Sequence, residues 1–140
     1  MMTPNGFHPK TEEVAEWLVA FEAADDGASA ADKPETCLVC EKIRRRLGSL
    51  AGSVGYRTLL ARALTLAKRQ DSVLGPVQVE KDGSLKGFRF EEREANVALI
   101  AQLLGLLYVL IGEPLTLQLL REIWPDLPGS EADFAKEEQI

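Results

Sequence analysis

Val97-Ala98-Leu99-Ile100-Ala101-Gln102-Leu103-Leu104-Gly105-Leu106-Leu107-Tyr108-Val109-Leu110-Ile111 is the stretch whose reading decides the fold, because only Gln102 interrupts its apolar run. A helix apolar nearly all round lies at the centre of a domain, crosses a membrane, or is shared with a partner. Crossing a bilayer takes about 20 apolar residues, and this run has fifteen. Its flanks, Glu91, Glu92, Glu94 and Glu113, are acidic and lack the basic and aromatic anchors of a spanning segment. The reading is therefore a buried core helix. Within it, Ala95, Ala98, Ala101, Gln102 and Gly105 gather on one side, and small side chains there predict a tight helix crossing. That crossing is expected first within the chain and next with a second copy, as a homodimer interface.

Outward from this helix, the sequence reads as a mainly α, single-domain bundle of about five helices. Thr11-Glu12-Glu13 opens the first, with a capping hydroxyl and two acids in the first turn. Val14, Trp17, Leu18 and Phe21 form its apolar stripe. Asp32, Pro34 and Glu35 make a capping-box start for the second, whose apolar arc is Val39, Cys40, Ile43, Leu47 and Leu50, extending toward Val54. Gly48, Gly52 and Gly55 predict a break before a third helix from about Val54 to Gln70, which buries Tyr56, Leu59, Leu60, Ala63, Leu64, Leu66 and Ala67. Residues 77–90 change period: Val77 and Val79 alternate with polar neighbours, and Asp82-Gly83 is a turn pair, so a short β-hairpin or ordered loop is expected. Pro114 begins a last helix carrying Leu115, Leu119, Leu120, Ile123 and Trp124, which Pro125 stops. Residues 1–10 read as a flexible N-terminus, 11–125 as the helical domain and 126–140 as an acidic, fraying tail.

The bulk composition fits one soluble domain of 140 residues, with 46% apolar and 27% charged residues. Net charge is −6, which argues against nonspecific nucleic-acid or membrane-surface binding. The sign is segregated, however: residues 41–71 carry eight bases against two acids, between two acidic flanks. Compensation within the folded chain accounts for such a pattern more simply than a dedicated anionic ligand does. The start of the chain has no apolar core of a secretory signal, and two cysteines three apart suit a reducing compartment. A cytoplasmic location is expected.

Candidates for chemistry are few. Cys37 and Cys40 form a C-x-x-C pair, the spacing of a shared zinc or a redox thiol pair. Zinc needs two further ligands, and the sequence offers only His8, so a four-thiolate site would need two chains. Cys40 also shares the apolar arc of Val39, Ile43 and Leu47, which reads as a small core residue. Arg44, Arg45 and Arg46, with Arg57, Arg62, Lys68 and Arg69, make the basic segment. Three consecutive arginines spread around a helix, and the second basic helix lacks the Asn and Gln readers of base edges, so an acidic protein surface suits them better than DNA. No phosphate-binding glycine loop, H-E-x-x-H or G-x-S-x-G motif is present. The helix-borne carboxylates fall at exposed phases or helix ends, where solvation explains them.

Two stretches carry a likeness. Gly55-Tyr56-Arg57-Thr58-Leu59-Leu60-Ala61-Arg62-Ala63-Leu64 is one; the other is Leu103-Leu104-Gly105-Leu106-Leu107, continuing through Ile111-Gly112-Glu113-Pro114-Leu115-Thr116-Leu117 to Leu120-Arg121-Glu122-Ile123-Trp124-Pro125-Asp126. Together they resemble a group of small bacterial all-helical proteins of unassigned function, over roughly half the chain. The resemblance implies a shared fold and no activity, and it leaves Cys37 and Cys40 outside. The sequence therefore points to a non-enzymatic protein-interaction module, an adaptor or regulatory subunit of a bacterial cell, without cofactor. Its expected partner is another protein with an acidic surface, or a second copy. A zinc or thiol-redox protein using Cys37 and Cys40 is the alternative. A nucleic-acid-binding regulator using residues 42–69 is the third.

Overall fold

The computed structural model describes residues 10–24, 35–71, 74–81, 83, 85–86 and 93–128. Helix α1 spans Thr11–Ala24 and α2 spans Glu35–Gln70. A two-stranded hairpin follows, β1 (Gln78–Val79) and β2 (Leu85–Lys86), then α3 (Arg93–Ile111) and α4 (Glu113–Ile123). The molecule is a mainly α bundle with a short antiparallel hairpin, as the periodicity predicts.

The glycine break in α2 falls at Gly52, where φ 83 and ψ 161 leave the helical region. That combination is essentially restricted to glycine. The break turns one long helix into two arms, which bury Val39, Cys40, Ile43 and Leu47 from the first and Tyr56, Leu60, Ala63, Leu64 and Ala67 from the second. Tyr56 is 1% exposed, and its hydroxyl donates to the Cys40 carbonyl at 3.1 Å, tying the arms across the bend. Val54, just past the kink, is exposed and outside the core.

In the hairpin, Gln78 pairs with Lys86 and Val79 with Leu85. Gly83 occupies the turn at φ +88, and its N–H donates to the Glu80 carbonyl at 2.9 Å. A Cβ at Gly83 would lie 3.3 Å from the Arg44 side chain and 3.5 Å from the Tyr56 ring, so the turn sits directly on α2. Phe88 and Phe90, the apolar end of the expected hairpin, lie outside the described residues, as does the capping box at Asp32 and Pro34.

Helix α3 is the hub: it packs against α1, α2 and α4. Leu99, Ile100, Leu103, Leu104 and Leu107 are fully buried along one side. The helix is longer than its apolar run, because Arg93-Glu94-Ala95-Asn96 forms its first turn. An 18-residue window from Glu94 to Ile111 has a mean hydropathy of 1.9, enough by length and composition to cross a membrane, yet half of that window is buried inside the fold. Gly112 at φ 92 makes the corner, and its carbonyl accepts from both the N–H and the hydroxyl of Thr116 in α4.

Two expectations shift by a phase, and burial reaches further along the chain than the last helix. The buried stripe of α1 is Val14, Ala15, Leu18, Val19 and Glu22, with Trp17 and Phe21 packed at its margin, their rings stacked 5.0 Å apart. In α4, Leu115 is exposed and Leu117 takes its place in the core. The domain also extends past Pro125: Leu127 is 4% exposed and its N–H donates to the Trp124 carbonyl at 3.0 Å. Residues 129–140 lie outside the described part.

Candidate functional site

Two places deserve comparison as sites: a buried polar junction beneath α4, and the outward side of α3.

The junction is built on Glu22. Its side chain is 4% exposed and its Oε2 accepts from Lys42 Nζ at 2.6 Å and from Trp124 Nε1 at 2.8 Å. Lys42 Nζ also stands 5.8 Å from the centre of the Trp124 ring, within cation–π range. One carboxylate thus joins α1, α2 and the end of α4. Glu22 lies in the last turn of α1, so this corrects the expectation that carboxylates at exposed phases or helix ends are explained by solvation. Glu22 shares the phase of Leu18 and Ala15, and burial is tolerated because an ammonium and an indole N–H satisfy it. The distant partners, 20 and 102 residues away, carry no local sequence signal. Its role is to hold three helices together.

The outward side of α3 is different. Glu12, Glu16 and Ala20 of α1 line a groove of about 510 Å³ with Glu94, Val97 and Ala98 of α3. Lys10, Thr11 and Glu12 line a second, of about 470 Å³, with Gln70 of α2 and Ala98, Ala101, Gln102, Gly105 and Tyr108 of α3. The two share Glu12 and Ala98, so they run on from one another while α1 passes α3 antiparallel. The floor is the small-residue stripe. Ala95 and Ala101 at its edges are buried, whereas Ala98, Gln102 and Gly105 are partly open. A Cβ at Gly105 would meet nothing within 4 Å. The tight crossing expected within the chain is therefore not made at Gly105. One turn on, Val109 is 86% exposed.

Tyr108 closes one end of the groove. Burial pushes its hydroxyl up to about 12, and the nearby Glu113 adds to the rise while Arg121 opposes it. Glu12, Glu16 and Glu94 are exposed, and no cation among the described residues pairs with them.

The basic segment is used in part inside the molecule. Arg46 pairs with Glu122 of α4, Lys42 with Glu22, and Arg57 Nη1 donates to the Lys81 carbonyl of the hairpin turn at 2.7 Å. Arg44 lies half-buried against Gly83. Arg45, Arg62 and Arg69 are exposed, and Lys68 is half-buried. They fall on both arms of a kinked helix, and none of them lines either of the two described grooves.

Cys40 is buried in the core at 4% exposure, and its carbonyl accepts from the Tyr56 hydroxyl. The Cys37 side chain lies outside the described residues, so the pair is not seen together. No group of three or more His, Cys, Asp or Glu side chains arranged for a metal ion occurs among the described residues. One further polar group stands out: Asn96 is 1% exposed, and neither its Oδ1 nor its Nδ2 has a hydrogen-bond partner. No protein-family model, curated protein or solved structure matches the chain.

Proposed function

We propose that this chain is a non-enzymatic protein-interaction module, an adaptor or regulatory subunit of the bacterial cytoplasm, whose partner docks on the outward side of α3. The observation that supports it is a single one: the most apolar helix keeps a lengthwise groove open, floored by Ala98, Ala101 and Gly105 and continued by Val109 at 86% exposure. Covering a valine side chain gains about 1.5–3 kcal/mol, so a face of this kind favours an occupant. Small floor residues allow that occupant's backbone to come close.

The arginines contribute less under this reading, because Arg46 and Arg57 are engaged within the fold. The test is retention of a partner from native lysate by the intact chain and by Gly105→Trp. A Cβ at Gly105 meets nothing within 4 Å, so the indole is carried into the groove, and a thermal melt matching the parent's shows the variant folded. Loss of the retained partner in the variant supports the reading. A wild-type chain that retains nothing above bare resin at modest salt, and stays at its 15.4 kDa mass by light scattering, defeats it.

A further inference from the structure

We infer that the occupant of the α3 groove is a cationic amphipathic helix of a different protein, and not a second copy of this chain. The inference rests on the docking reading above and names its partner by chemistry. Glu12 and Glu16 stand one helical turn apart on the α1 wall, and Glu94 stands at the same end on α3. Spacing of i and i+4 puts two side chains in one row along a helix. All three carboxylates are exposed, and none is paired with a cation among the described residues. Among the described residues, the one base lining the groove is Lys10, at the mouth beside Gly105 and Tyr108.

A two-fold interface brings the same patch of both copies together. A two-fold through this groove sets its acidic end against the Lys10 end of the other copy, so each three-carboxylate row would meet one described base, in a chain already at net charge −6. A helix with a small apolar seam and Lys or Arg repeated every four residues meets the same surface with opposite sign. Its seam would lie on Ala98, Ala101 and Gly105, whose spacing of three and four follows one helical face. Its charges would lie toward Glu16 and Glu94. Each exposed ion pair is weak, so charge sets orientation and salt dependence while the apolar floor supplies the hold.

The test is photo-crosslinking in the native host, with the intact chain carrying p-benzoylphenylalanine at Val109, and mass spectrometry of the adducts. The expected result is an adduct to another protein, joined through a basic helix-forming segment. Reversal in Glu16→Lys/Glu94→Lys exchanges attraction for repulsion and lowers its yield about tenfold. The milder Glu16→Gln/Glu94→Gln pair, which keeps side-chain size, lowers it less, and both variants must melt as the parent does; where the reversed pair unfolds, the Gln pair decides. Adducts of the chain to itself overturn the inference in favour of a second copy and leave the docking reading standing. An adduct to another protein whose yield ignores both variants overturns the cationic partner alone. Absence of any adduct overturns the inference and the docking reading together.

Discussion

The two sides of α3 differ in what covers them. Inward, Leu99, Leu103 and Leu107 are fully buried against α1, α2 and α4. Outward, Ala98 and Gly105 are partly open and Val109 is 86% exposed. Both sides are mostly apolar, and between Ala98 and Gly105 the difference is size. Large side chains fill the space between helices, where dispersion contacts and lost water exposure reward them. Small ones leave a trough. The comparison teaches that an apolar helix can serve as core and as surface at once, its covered side filled by leucines and its open side a trough at Ala98 and Gly105 that continues to the exposed Val109.

The largest effect that could break this division comes from the inward side. Leu103→Ala should cost about 2–5 kcal/mol, the range for truncating a closed core position. Val109→Ala should stay within about 0.5 kcal/mol. Urea unfolding of the two variants checks this, and equal losses would mean that the outward side is packed after all.

Next is the junction that supports the inward side from beneath. Glu22→Ala removes the acceptor of the Trp124 N–H, which is buried with a residue 1% exposed, while Lys42 at 37% exposure can turn to water. A loss of about 1–3 kcal/mol is expected, the cost of a buried unsatisfied donor. Glu22→Gln, which can still accept from the indole, should lose less. Thermal melts of both decide, and an unchanged Glu22→Ala would show that the junction holds nothing.

A pair of glycines sharpens the contrast with opposite signs. Gly52→Ala puts a side chain at φ 83 and ψ 161 and should destabilise by about 1–3 kcal/mol, although space is open there. Gly105→Ala lies inside a helix with nothing within 4 Å of the new Cβ. It should stabilise the isolated chain by up to about 1 kcal/mol, the helix-propensity difference. A destabilised Gly105→Ala would show that the groove is closed in solution.

The smallest effect is read by pH. Burial pushes the Tyr108 hydroxyl up to about 12 in the folded chain, above the ordinary tyrosine value of about 10. Between those values the unfolded state has released a proton that the folded state keeps, so stability falls as pH rises through that window and is flat below it. Absorbance titration of the phenolate measures the folded value. A midpoint near 10 would mean that Tyr108 is fully solvated, and the end of the groove more open than described.

Much of this was legible from local pattern. The α3 run, the Gly52 break, the turn at Gly83 and the Gly112–Pro114 corner all follow from residues whose preferences act over a few positions. The groove was half legible. The stripe from Ala95 to Gly105 announces that something small lies along one side, but whether another helix covers it depends on where α1 and α2 come to rest. Glu22 was not legible at all, since its burial is licensed by Lys42 and Trp124, both remote along the chain.

By itself, then, the sequence determined the bundle of helices, where the chain turns, and which helix is apolar enough to sit at the centre. Periodicity, glycine and proline act locally, and short-range physics suffices for them. Only the tertiary structure decided which side of that central helix is left uncovered and which carboxylate goes inside. Both depend on packing among segments far apart in the chain, where volume and pairing across space outweigh local preference.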